Sequence, residues 1–283
     1  MASGPRLKTP PFSSRDLLSA LVDPKADRLD LVTGSLRQLG VPHEILTAGD
    51  TRHVWVHPGR RVLPGRRIKT IVAHHDRYPD SPGANDNAAA VSRLVELAAS
   101  PLYRKAQNLQ ILFTDREEVV AGDRLREQGA WKLATWLKTQ PDAKRWAFFS
   151  FDVFGCGDTP VLSTTGGLLL KKRLHGAGLD RWMNLFHATL RRVARFAAME
   201  PLATPLSDDW SFTAHGFPSV LLTALPMNEI KAWRQRRQYP KTWQRINSID
   251  DTPETLTPSS EGLLQRIFQA VAGMDLTLRE FPV

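Results

Sequence analysis

Apolar positions fall into two rhythms along the chain. Ile68 to Ala73, Leu109 to Thr114 and Trp146 to Phe151 are nearly continuous apolar runs. Such runs mark strands buried on both faces, as in a parallel sheet. Other stretches repeat every three or four residues: Leu29, Val32, Leu36 and Leu39, then Val91, Leu94, Val95 and Ala98. That spacing puts them on one face of a helix. Ser14-Arg15-Asp16 caps a short helix through Leu21, and a second runs from about Lys25 to Leu39, stopped by Gly40. His43 to Thr47 and His53 to His57 flank Gly49-Asp50 as a hairpin. Later segments predict helices over about Arg124 to Lys138, Trp182 to Met199 and Ser260 to Leu276. They also predict strands at Val161 to Ser163 and Pro218 to Thr223.

Strands alternating with helices predict an α/β fold: a single three-layer domain with a central, mostly parallel mixed β-sheet between helices. Residues 1–14 are Pro/Ser-rich and read as a flexible arm, and 15–283 as the domain.

Polar chemistry collects where the apolar runs stop. His74, His75 and Asp76 follow the first run, Glu117 and Glu118 the second, Asp152 the third. Asp86 opens the helix between the first two. In a parallel sheet these ends share one edge, where ligands bind. One imidazole and several carboxylates in one cleft repel unless cations join them, and these are zinc ligand types. The spacing H-x-D makes His74 the ligand and Asp76 its orienting partner.

Composition narrows the picture. Lys plus Arg is 38 against 29 Asp plus Glu, a net charge of +9, but the cations are spread along the chain. No segment matches a nucleic-acid-binding module, so no nucleic-acid partner is expected. No apolar stretch approaches the ~18 residues a membrane helix needs. Cys156 is the single cysteine, which excludes an intrachain disulfide. With no apolar leader at the N-terminus, the expected location is cytoplasmic.

The ordered set A-H-H-D (73–76), S-P-G-A-N-D-N-A (81–88), E-E (117–118), F-D (151–152), S-D-D-W-S-F-T-A-H-G-F-P (207–218) and D-T-P-E (251–254) resembles the co-catalytic, di-zinc aminopeptidase family of metallopeptidases. Glutaminyl cyclases and the protease-like domain of the transferrin receptor are related to it. The resemblance implies a zinc-dependent hydrolase that releases N-terminal residues or cleaves small amides through a metal-activated water. By resemblance, His74 and Asp152 hold one zinc, Asp86 bridges, and Glu118 holds the other. Glu117 is the general base and Asp76 supports His74. One or two Zn2+ per chain, a peptide or small amide substrate and no other cofactor follow.

One position departs from the family. Four residues before Asp251-Thr252 the family carries a histidine ligand, and here stands Asn247. Its neutral amide oxygen is a poor zinc ligand. Two alternatives therefore stand beside the hydrolase: a single-zinc acyltransferase like the glutaminyl cyclases, and a catalytically silent binding domain. His215 is not aligned to replace the missing imidazole. Between Lys231 and Arg245, cations interleave with Trp233, Tyr239 and Trp243. That stretch reads either as a solvated loop or as a basic lid.

Overall fold

The computed structural model describes residues 12–60, 62–118, 125–165, 188 and 199–278. A mixed sheet runs through it in the order β1-β2-β4-β3-β5-β8-β6-β7. The strands are β1 His43–Ala48, β2 Thr51–Val56, β3 Ile68–His74, β4 Leu109–Thr114, β5 Trp146–Phe151, β6 Thr159–Ser163, β7 Glu200–Leu202 and β8 Ser219–Leu225. The central strands β4, β3, β5 and β8 are mutually parallel; β1, β2 and β6 pair antiparallel to their neighbours β2, β4 and β8. The mostly parallel mixed sheet is as expected. The short edge strand β7 was missed, since a three-residue run containing Pro201 carries almost no period.

Helices cover both faces. α1 (Ser14–Leu21), α2 (Arg28–Gln38), α3 (Ala89–Ala99) and α9 (Pro258–Gly273) bury apolar stripes against Ile71, Ile111, Phe149 and Phe151. α4 (Pro101–Lys105) closes that layer, with Tyr103 Oη donating to the carbonyls of Val56 and His57. On the opposite face α5 (Gly129–Leu137) and α6 (Asp208–Ala214) cover Val72, Leu112 and Phe148. Phe148 and Phe212 stack with centroids 3.9 Å apart. Each fully buried Ile, Val or Phe contributes ~1.5–3 kcal/mol, and β3 and β5 are buried along their whole length, on both faces. A smaller cluster joins Val153, Val161 and Leu225 to Ile230 of α7 (Met227–Arg236) and Trp243 of α8 (Lys241–Arg245).

Some predicted boundaries shift. α2 starts at Arg28, capped by the Asp27 carboxylate, which accepts from the Asp30 amide. α5 starts only at Gly129, after a single 3-10 turn at Leu125–Glu127. The stretch from Lys231 to Arg245 is mostly helical: it spans the end of α7, a four-residue connection at 237–240 and α8, and Tyr239 of the connection contacts both Trp233 and Trp243. Phe12 packs against the core and Ser13 caps α1, while residues 1–11 and most of the predicted helix Trp182 to Met199 lie outside the described residues. Among the described residues no helix is long and apolar enough to cross a membrane.

Two buried polar side chains tie the layers together. Lys69, the second residue of β3, donates from Nζ to the carbonyls of Ala272 (2.7 Å) and Met274 (2.6 Å), capping the C-terminal end of α9. On β2, His53 is fully buried, 2.9 Å from Thr51 Oγ1 at Nε2, and accepts the Asp115 amide at Nδ1. Burial, and then the nearby His75, push its pKa from 6.5 down to about 3. Above 6.5 the ring is neutral in both states, so this stabilisation is fully present there. Between 6.5 and about 3 only the unfolded chain takes the proton, so stability falls with pH, by up to about 5 kcal/mol at ~1.4 kcal/mol per decade. In urea unfolding, wild type is expected to lose stability more steeply than H53N between pH 6.5 and 4.5. Parallel slopes would remove His53 as the cause.

Candidate metal centre

The sheet order 4-3-5 places three strand ends side by side, and the predicted residues stand on them. His74 is the last residue of β3, and Asp152 directly follows β5. Glu117 and Glu118 follow β4 after Asp115 and Arg116. Two left-handed residues turn these segments into the cleft: Arg116 at φ 57° and Val153 at φ 52°. Neither is glycine, so each costs about 1–3 kcal/mol, a strain typical of functional turns.

Asp86 is brought in differently from expectation. It does not begin a helix. Residues Ala84–Ala88 form a wide turn in which Asp86 and Asn87 have non-helical angles and are joined by a cis peptide; α3 begins at Ala89. The periodic run from Ala88 onward hid this break. Gly83 enters the turn at φ 59°, and a Cβ there would lie 2.5 Å from the Asp86 carbonyl oxygen. The Asp251 carboxylate accepts the amides of Asn85 (2.8 Å) and Asp86 (3.0 Å). Asn85 in turn accepts the Gly155 amide, fastening this turn to the segment after Asp152.

Nε2 of His74 lies 3.0 Å from Asp86 Oδ1 and 3.3 Å from Asp152 Oδ1; Nδ1 lies 3.4 Å from Asp76 Oδ1. Ligand atoms of His74, Asp86 and Glu118 all fall within 4.8 Å of one another, and all three residues are buried. Asp76 supports more than the imidazole. Its two oxygens accept the amides of Glu117 (3.0 Å) and Glu118 (3.1 Å), so one carboxylate sets both glutamates. Burial alone would raise Asp76, but the His74 contact and those amides bring it down to about 2.

The other acids are pushed the opposite way. Burial, and then Asp152, lift Asp86 to about 7; burial, and then Asp86, lift Glu118 to about 9. Glu117 rises well above the carboxylate range, chiefly through burial. Burial disfavours charge on His74, yet Asp152, Asp76 and Asp86 raise its pKa well above 6.5. Glu118 Oε1 is buried and makes no hydrogen bond, and Asp86 Oδ1 faces only the His74 ring, 3.0 Å away. A buried acceptor without a donor, packed among further carboxylates that share one imidazole, fits a divalent cation.

The remaining predicted residues separate. Asn247 lines a ≈ 70 Å³ pocket with Asp86, Glu117, Glu118 and Asp152, and is itself exposed. Its φ of 59° suits asparagine, which tolerates the left-handed region. His75 is buried with Nε2 3.0 Å from the Arg52 carbonyl oxygen. His215 lies between the Ser211 carbonyl (2.7 Å) and Thr135 Oγ1 (3.0 Å), against Trp131, so it does not replace the missing imidazole.

Two contributors escaped sequence reasoning. Gln128 donates from Nε2 to the Glu117 carbonyl (2.9 Å), with Glu117 Oε1 at 3.5 Å, and accepts from Ser211 Oγ at 3.2 Å. Asp208 is buried at the start of α6 and accepts from Thr114 Oγ1. Burial, with partial relief from His74, leaves it at about 7. The string S-D-D-W could have flagged Asp208; nothing local marks Gln128.

No curated protein sequence matches the chain. Among solved structures, the fold is similar to glutaminyl cyclase from Bacteroides thetaiotaomicron bound to N-acetylhistamine: TM-score 0.63, 15% identity, 94% of this chain and 99% of that one. Glutaminyl cyclase from Porphyromonas gingivalis gives 0.61 at 15% identity, covering 92% and 98%. The zinc aminopeptidase from Bacillus subtilis gives 0.56 at 16% identity over 80% of this chain and 50% of that one, so the chain spans about half the aminopeptidase's length. Such low identities establish the shared fold alone. The model of peptidase family M28 matches residues 61–272, which includes every predicted ligand position. With three-quarters of its length under that match and the matching motifs gathered on one edge of the sheet, the chain belongs to peptidase family M28.

Proposed function

We propose that the chain is a zinc-dependent metallohydrolase of aminopeptidase type, acting on the N-terminal residue of a peptide or on a small amide. The observation that carries this reading is the buried convergence of His74, Asp86 and Glu118, with Glu117 on the same pocket wall. His74 and Asp152 would hold one zinc, Asp86 would bridge, and Glu118 would hold the second. Asn247 leaves the Glu118 position short of an imidazole. Bound zinc supplies a Lewis acid that polarises the scissile carbonyl and brings water's pKa toward ~7.

The chain's own residues supply the rest. Glu117 is the proton carrier: its burial favours accepting a proton, and the same carboxyl can return it to a leaving amine. Gln128 limits where that carboxyl points. Asp76 holds the His74 ring and both glutamate amides in place. Val153, Leu206, Leu221 and Trp243 line the pocket with apolar surface, which favours an uncharged side chain.

Asn247 also favours a second reading, a single-zinc acyltransferase like the glutaminyl cyclases. The test is zinc content on protein purified without chelator, together with product analysis on N-terminal peptides. About two ions per chain and release of free amino acids are expected for the hydrolase. About one ion, with ammonia released from N-terminal glutamine peptides, moves the assignment to the acyltransferase. No uptake in zinc-supplemented buffer overturns both in favour of a binding domain.

A further inference from the structure

Arg28 is the first residue of α2 and precedes the family match, yet its side chain reaches the centre. It is 5% exposed. Nε donates to the Leu21 carbonyl at 2.9 Å, Nη1 to the Asp76 carbonyl at 2.7 Å, and Nη2 to the carbonyls of Pro82 (2.8 Å) and Gly83 (3.0 Å). These acceptors come from three separate stretches: the end of α1, the residue two beyond β3, and the entry to the Asp86 turn. All are neutral. Among the described residues no carboxylate oxygen lies within salt-bridge distance of this buried guanidinium, and the carboxylates that act on it through space are Asp76, Asp86 and Glu118.

The span from Asp76 to Asp86 leaves the sheet with one functional carboxylate and returns with another. Between them the chain is irregular, and only its ends must be placed accurately. A planar fork with fixed donor directions can grip both ends at once; a lysine ammonium cannot reproduce that geometry. The contact at Gly83 is close, since a Cβ there would sit 2.8 Å from Nη2.

We propose that Arg28 is a positioning residue of the metal centre: its guanidinium pins the carbonyls of Asp76, Pro82 and Gly83 and so fixes the spacing between the His74–Asp76 strand end and Asp86. The proposal rests on reading this centre as a zinc site. The N-terminal helices then form part of the site and do more than cover the sheet.

The test uses the full chain with R28K, which keeps the charge and volume but loses the fork, beside R28M. Zinc affinity is measured by competition with a chromophoric chelator at a temperature where circular dichroism shows each variant folded. R28K is expected to bind zinc about 10–100-fold more weakly than wild type, the range for losing a partner that orients ligands. A merely structural arginine would lower the melting temperature and leave zinc affinity unchanged; affinity within about twofold of wild type overturns the proposal. Should R28M fail to fold, R28K alone decides. Should wild type itself take up no zinc, the zinc reading fails separately, and hydrogen exchange then decides the positioning. Faster exchange in R28K confined to the amides of residues 76–88 supports the clamp, and unchanged exchange there overturns it.

Discussion

Glu117→Gln is expected to reduce kcat by about 10²–10⁴-fold, the usual contribution of a placed acid–base group, while zinc content stays at the wild-type value. Glutamine keeps the length and the hydrogen bonding to Gln128 but cannot take a proton at any working pH. The Glu117 amide, held by Asp76, is untouched by the change, so Glu118 keeps its place. KM should move little, because the lost interaction belongs to the transition state. Full activity in the variant on the best substrate would sink the assignment of Glu117 as the base. Loss of metal together with activity would reassign it as a ligand. Stopped-flow or steady-state rates paired with metal analysis on the same preparation separate these outcomes.

Asp86→Asn is expected to have the larger effect on metal. Asp86 lies against His74 and belongs to the cluster with Glu118, so its loss removes a donor common to both proposed positions. An amide oxygen is neutral and weakly basic, as at Asn247. Zinc affinity should drop by more than the ~100-fold that loss of an outer partner costs, and turnover should fall with it. The opposite change, Asn247→His, puts an imidazole on the pocket wall and should raise zinc content where Glu118 stands. Asp86→Asn protein that retains wild-type zinc in equilibrium dialysis would show that Asp86 is not a ligand.

The residues on strand ends could be read from sequence because a strand has one direction and a parallel sheet one functional edge. Once Ile68 to Ala73, Leu109 to Thr114 and Trp146 to Phe151 are parallel strands, His74, Glu117, Glu118 and Asp152 share one edge, and the order β4-β3-β5 makes them neighbours. Asp86 was found by motif, but its setting was misread: Ala-rich sequence beyond it has helical period, and nothing local reports that the backbone breaks before Ala89. Arg28 and Gln128 were invisible for a different reason. Each acts through contacts with main-chain atoms far away in sequence, and a carbonyl oxygen has no residue identity to leave in a pattern. Lys231 to Arg245 reads as a solvated loop or a basic lid because its cations outnumber its apolar residues; the ring contacts between Trp233, Tyr239 and Trp243 come from three aromatic residues with no regular spacing.

The lysine inside β3 has a consequence for how the chain is made. Lys69 lies five residues before His74, and its ammonium is satisfied by carbonyls at 272 and 274. As the chain leaves the ribosome, this strand emerges with a charge that the core cannot accept until about two hundred more residues have followed, at roughly 5–20 residues per second. Strand β3 can pair with β4 and β5 before that, but its ammonium finds these partners only once α9 has formed. The contact that satisfies this charge therefore joins residues about two hundred positions apart, one of the longest sequence separations that the folding of the sheet has to close.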